Sequence, residues 1–346
     1  MTLQTRLPRV TVFSLGGTIA STADAGRSAG GVVPRLGARE LVDAVPQLSD
    51  TAELETVAFR QMPSGDLSLR DLGELAGEIV KRFDSGVDGV VVTQGTDTIE
   101  ETSFALDLLV RGPRPVVVTG AMRNPTLAGP DGPANLLAAV QVAAAPAAAG
   151  LGALVVLNDE IHAARFVRKT HTSSPATFRS GIVGPLGWVV EGRPRIALRP
   201  APLETGALTG PDADDVPAVA LLTCALGDDL RVLGELERLG YAGVVLEALG
   251  GGHVPAPTVP ALADLAARLP VVLASRTGSG EVLQETYGFP GSERDLIARG
   301  LVPGGFLDGP KARILLSLVL AGGADLAAAR NAFGRFLDSA VSPGQQ

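Results

Sequence analysis

One cysteine in a chain of 346 residues excludes an internal disulfide framework. That residue, Cys224, sits in the apolar run VPAVALLTCAL, which marks it as a small core side chain. The three histidines, His162, His171 and His253, lack metal-ligand spacing and make no case for a metal. Basic runs are missing as well. Twenty-nine Lys and Arg against 37 Asp and Glu leave a formal charge of -8, and no basic stripe offers itself to nucleic acid or to a membrane surface. The longest apolar stretch, residues 142–157, is broken by Pro146 and two glycines and is no membrane span. The first ten residues, MTLQTRLPRV, carry no apolar h-region of a secretory signal, so a cytoplasmic protein is expected.

What is present fits a large α/β protein. The chain is 46% hydrophobic, enough for one large or two medium domains, and its 43 glycines and 25 prolines suit many strand-to-helix turns. Strand-like runs at 10–15, 54–60, 89–93, 115–119 and 152–157 alternate with helical patterns at 66–83 and 98–111, which argues for a mostly parallel sheet flanked by helices. An Ala-rich helical piece follows at 138–149, and a hairpin region at 181–200. Residues 201–217 collect Pro, Gly, Thr and Asp without periodicity and form the expected linker between an N-terminal domain, 1–200, and a C-terminal domain, 218–346. The second domain reads as a smaller parallel sheet, with strands near 218–223, 243–247 and 271–274 and helices near 228–239, 258–268 and 310–321.

Two turns carry the chemistry. VTVFSLGGTIA at 10–20 and VVVTQGTDTIEET at 90–102 each run from a strand through a glycine turn into a helical segment. Open α/β sheets place their ligands at such carboxyl-terminal strand ends. Gly16 and Gly17 permit close backbone approach, leaving Thr18 at a bend, while the second turn presents Thr96 beside Asp97. The alternative for Thr96 and Asp97 is helix capping, with Glu100 and Glu101 completing a capping box.

Together the two turns resemble the paired threonine signatures of the bacterial-type L-asparaginase and glutaminase family. Further segments resemble it in the same order: PVVVTGAMR at 115–123, DGPANL at 131–136, LVVLND at 154–159, FVRKTHT at 166–172, YGF at 287–289 and GPKARILLSL at 309–318. The likeness spans about residues 9–335. It implies hydrolysis of L-asparagine to aspartate and ammonia, with Thr18 as the acyl-forming nucleophile and Thr96, Asp97 and Lys169 as the assisting group. Ser64, with Asp66, aligns with the loop that grips the substrate α-carboxylate, Asp97 with the partner of its α-ammonium, and Ala121 with the backbone that meets its amide. No cofactor or metal is implied. The partners implied are a small amino-acid substrate and copies of the same chain in a homo-oligomer, a dimer or a tetramer.

The pattern is departed from at three places. No tyrosine follows Thr18 in STADAGRSAGGVVP, where Gly31 stands near the expected position; Gly65 stands where glutamine is frequent; and GGGHVP at 250–255 has Gly251 and His253 where asparagines are expected. His253 is read as structural, and the choice among Glu281, Glu285 and Tyr287 as a group lent to a neighbouring subunit stays open. Two other readings remain: a broader glutaminase-asparaginase, or a weakly hydrolytic amino-acid-binding protein of the same fold.

Overall fold

Uninterrupted runs of β-branched residues make the centre of the larger sheet. A computed structural model describes residues 6–17, 19, 21–23, 32–34, 37–203, 208, 210 and 216–341, and the chain divides into two units, Met1–Pro202 and Leu203–Gln346. The first unit begins with β1 (Arg9–Ser14), a small hairpin of β2 (Ser21–Ala23) and β3 (Val32–Pro34), helix α1 (Ala38–Asp43) and β4 (Glu53–Ala58). It continues with α2 (Leu69–Asp84), β5 (Gly89–Thr93), α3 (Ile99–Leu109), β6 (Val116–Thr119), α4 (Gly132–Ala143) and β7 (Ala153–Leu157). After β8 (Glu160–Ala163) come a ribbon of β9 (Arg168–Lys169) and β10 (Phe178–Arg179), then the hairpin of β11 (Gly187–Val190) and β12 (Arg193–Ile196).

The main sheet has the order β12-β11-β8-β7-β6-β5-β1-β4, parallel from β4 to β7 and antiparallel beyond. Every residue of β5, β6 and β7 is buried, because helices cover both faces. Val10, Val12, Val91, Val117, Leu154 and Val156 pack on one face against α1 and α4. Phe13, Val90, Val92, Val116, Val118 and Val155 pack on the other against α2 and α3. The two-residue alternation within each strand makes this division.

The second unit holds β13 (Ala218–Thr223), β14 (Tyr241–Ala248), β15 (Val271–Ser275) and β16 (Val302–Pro303), paired in parallel in chain order. Its helices are α5 (Val259–Ala266), α6 (Glu293–Ala298), α7 (Gly309–Ala321) and α8 (Leu326–Val341). Cys224 is buried in the core of this unit, beside Leu246 and Leu273 among others.

Local chemistry corrects several expected boundaries. The helix expected from 66 begins at Leu69, after a 3-10 turn at Ser64–Asp66, because Ser68 and Asp71 close a capping box there. The Ala-rich helix stops at Ala143, ahead of Pro146. The helix expected at 228–239 is only a 3-10 turn, Arg231–Glu235; its buried Leu230, Leu233 and Leu236 recur every three residues, the 3-10 period. Helices α6 and α8 and strand β16 were not foreseen.

Candidate active site

From β1 the chain crosses to β4 at the sheet edge, then returns past β1 to β5 and moves on to β6 and β7. The connections leaving β1 and β5 therefore diverge, and a crevice opens at the carboxyl ends of these two neighbours. Both hydroxyl-rich turns lie there.

Close backbone contacts hold four turns together. Leu15 N–H donates to Thr93 O at 2.9 Å, carrying the β1–β5 pairing one residue into the turn. Gly16 and Gly17 follow with φ of 103° and 85°. A Cβ on Gly16 would lie 2.7 Å from Met62 O, and one on Gly17 would lie 2.0 Å from Gly95 N. A Cβ on Gly95 would in turn meet Ser64 Oγ at 2.8 Å, and one on Gly120 would meet Gln94 O at 2.7 Å and Thr96 Cγ2 at 3.1 Å. Glycine is thus a steric requirement at each contact. The buried Ser64 is further tied to the second turn by Thr98 Oγ1, which donates to Ser64 O at 3.0 Å.

Lys169 reaches this cluster from β9. Its Nζ donates to Thr96 Oγ1 at 2.9 Å and to Asp97 Oδ1 at 2.6 Å, while its backbone N–H donates to Glu100 Oε2 at 2.9 Å. Thr96 is buried, and the Lys169 side chain is only 15% exposed against 80% for Asp97. The ammonium therefore spans from a sheltered hydroxyl to an open carboxylate. The capping alternative does not hold: Thr96–Thr98 is a 3-10 turn, α3 has no side-chain cap, and Glu100 is turned to Lys169.

The turn that carries Ala121 is braced by two side chains to which sequence reasoning gave no role. Asp131 accepts from Met122 N–H at 3.1 Å and Arg123 N–H at 2.8 Å. Asn135 donates to Gly120 O at 3.0 Å and accepts from Asn158 N–H at 2.9 Å, so it links the ends of β6 and β7. The signal available was the DGPAN sequence, which puts a carboxylate at a helix start and an amide one turn on. Ala121 is buried, as is Ile19, and a Cβ on Gly132 would lie 3.0 Å from the Ile19 side chain and 3.4 Å from that of Ala121.

Ser64, Thr96, Asp97, Lys169 and Ala121 thus belong to one set of packed turns. Thr18 lies outside the described residues, as does Gly31; its chain neighbour Gly17 borders the turn of Thr96, and Ile19 lies by the turn that carries Ala121. In the second unit, His253 is held internally: Nε2 is 3.1 Å from Glu293 Oε2, and the ring lies edge-on to Tyr287 and Phe289. Burial works to raise the Glu293 pKa, but the N–H groups of Tyr287 and Thr286 and the His253 ring hold it below its ordinary value. Among the described residues no cluster of three or more His, Cys, Asp or Glu could hold a metal, and no helix is long and apolar enough to cross a membrane.

Comparison with known proteins decides what this arrangement belongs to. Residues 9–202 match the family described as Asparaginase, N-terminal, and residues 218–333 match the Glutaminase/Asparaginase C-terminal domain. The chain belongs to the asparaginase family. L-asparaginase 2 of Escherichia coli (strain K12) is 36% identical over 318 residues, covering 91% of this chain and 89% of that protein. The probable periplasmic L-asparaginase of Haemophilus influenzae is 33% identical over 319 residues, covering 91% and 89%. The crystal structure of a probable cytoplasmic L-asparaginase from Campylobacter jejuni superposes with a TM-score of 0.83 at 31% identity, covering 95% of this asparaginase-family chain and all of the other.

Proposed function

We propose that the protein hydrolyses the side-chain amide of L-asparagine, giving L-aspartate and ammonia through a threonine acyl-enzyme. The observation that carries this reading is the Lys169 Nζ held 2.9 Å from the buried Thr96 hydroxyl, at the strand switch point of a chain from this family. Thr18 Oγ adds to the amide carbon and gives up its proton. The tetrahedral carbon collapses with loss of the C–N bond, and the nitrogen departs as ammonia after taking a proton. Water then adds to the ester with Thr96 and Lys169 assisting the proton transfer, and aspartate leaves as the Thr18 oxygen takes up the proton that the water gives.

Backbone N–H groups of the glycine turns serve the developing oxyanion, which needs donors fixed before the charge appears. Ser64 takes the substrate carboxylate, and Asp97, largely exposed, takes the α-ammonium. Ala121 presents its backbone to the amide, in a turn already immobilised by Asp131 and Asn135. Residues 1–200 are assigned as the catalytic domain, 201–217 as a linker and 218–346 as the domain that completes the site in a homotetramer, for which light scattering is the test. A cytoplasmic location is proposed from the likeness to the probable cytoplasmic L-asparaginase of Campylobacter jejuni; recovery in a periplasmic fraction would overturn it.

The broader glutaminase reading has one observation in its favour. Gly65 is exposed beside Ser64, and a Cβ there would meet nothing within 4 Å, which leaves room for a substrate one methylene longer. Ammonia release from asparagine and glutamine, measured side by side with Thr18→Ala as control, separates the two. Release from asparagine that Thr18→Ala abolishes supports the proposal; comparable rates on both amides support the broader reading. Undiminished activity in Thr18→Ala removes the nucleophile assignment.

A further inference from the structure

His171 lies two residues beyond Lys169, in the loop that joins β9 to β10, and nothing above gives it a role. Its ring Nδ1 accepts two backbone hydrogen bonds, from Ser173 N–H at 3.1 Å and Ser174 N–H at 3.0 Å. A ring nitrogen that accepts carries a lone pair and no proton, so this network requires a neutral imidazole with its hydrogen on Nε2. The backbone on either side is clamped. His171 N–H donates to Thr177 Oγ1 at 2.7 Å, and the Thr177 hydroxyl donates back to His171 O at 2.5 Å. Thr170 N–H and Oγ1 both donate to Thr177 O, at 2.9 and 2.8 Å. Thr177 is fully buried while His171 is exposed, so the loop has a fixed foot and a solvent-facing lock.

The segment 170–177 reads THTSSPAT, and His171 is its one ionisable side chain. Lys169 enters the loop directly from its bonds to Thr96, Asp97 and Glu100, and the bonds of Thr170 and His171 to Thr177 tie the 173–174 turn to the end of β9. We infer that His171 is a positioning residue for Lys169: the neutral ring keeps the loop closed, and a proton on Nδ1 opens it and releases Lys169 from Thr96. The physical cause is that protonation would set a third donor against two donors that have no other acceptor in this network. The charged groups on the elements around the loop are Arg168 and Lys169 on β9, Arg179 on β10, and Asp97, Glu100 and Glu101 at the start of α3. The inference rests on the reading of Lys169 under Proposed function.

The test compares kcat against pH for the wild type, His171→Asn and His171→Ala. Asn Oδ1 stands on Cγ as Nδ1 does, can accept the same two N–H groups, and does not titrate between pH 5 and 8. His171→Asn is expected to keep kcat within about twofold at the pH optimum and to lose the fall on the acid side, whereas His171→Ala loses about 10- to 100-fold in kcat with aspartate affinity little changed. An acid limb unchanged in His171→Asn, or an Asn variant no better than Ala, overturns the inference. Amide NMR of the whole protein reads the coupling without turnover: Lys169, Ser173 and Ser174 N–H signals should titrate together in the wild type and stay flat in His171→Asn. A ring protonated on Nδ1 at neutral pH also overturns it. If the wild type releases no ammonia yet these amides titrate together, the proposed activity fails and the His171 coupling stands.

Discussion

Gly17→Ala is the substitution on which the packing of the candidate site can be judged. The added methyl carbon would sit 2.0 Å from Gly95 N and 2.3 Å from Gly95 Cα. Ordinary van der Waals contact begins near 3.4 Å, so the first two turns would have to separate by about 1.4 Å, with rigid backbone on both sides and no side-chain end to yield. Forcing a Cβ residue to the Gly17 φ of 85° costs about 1–2 kcal/mol, and overpacking adds about 1–3 kcal/mol. A total of about 2–5 kcal/mol is expected, as a fall in the melting temperature. Separation of the turns by more than an ångström should also cost about 100-fold in kcat for ammonia release. Gly77→Ala is the control: Gly77 lies inside α2, its Cβ would meet nothing within 4 Å, and the change should stabilise by about 0.5–1 kcal/mol. A Gly17→Ala protein that melts with the wild type and turns over within threefold of it would refute the claim that the turns touch through this glycine.

Lys169→Met should lower kcat at least about 100-fold while aspartate affinity changes little; equal effects on both would make Lys169 a binding group. Burial pushes the His162 pKa down, against the pull of Glu160, so the folded state binds fewer protons than the unfolded chain as pH drops through the ordinary histidine range. Stability is then full above about pH 6.5 and falls below it by up to about 1.4 kcal/mol per pH unit, until the depressed folded pKa is passed. Melting curves at pH 7.5 and 5.5 should diverge less in His162→Leu than in the wild type; an equal pH dependence in both would exclude His162 as a source. Asp107 and Arg165 are buried and 3.8 Å apart, and burial raises the pKa of the acid and lowers that of the base. Asp107→Ala strands the guanidinium and takes the acceptor from Ala153 N–H, for an expected loss of about 3–5 kcal/mol by denaturant unfolding. A loss under 1 kcal/mol would show that the pair is not coupled.

Strands β1, β5 and β6 were legible because each is rich in β-branched residues and ended by a turn, a pattern written within six residues. Gly16 and Gly17 and the Thr96–Asp97 pair could be singled out for the same local reason. Elements that depend on a distant surface escaped: α8, for instance, gains its place from Phe333 and Phe336 entering a core built by other segments. The 3-10 turn at Arg231–Glu235 was misread as a helix because a three-residue leucine period and a 3.6-residue one are nearly alike over two turns.

By itself the sequence determined which residues turn, which run straight and which family the chain resembles, since backbone preference and hydrophobic period act over a few neighbours. Only the tertiary structure decided the rest. Lys169 and Thr96 are 73 residues apart in the chain, and they meet because the strand order sends the β9–β10 ribbon to the start of α3. Glu100 became a ligand for the Lys169 backbone rather than a helix cap, and Asp131 and Asn135 became braces of the Ala121 turn, by the same cause. A side chain's partner depends on where the whole sheet brings its turn to rest, and that is set by the packing of both faces at once rather than by any local run of residues.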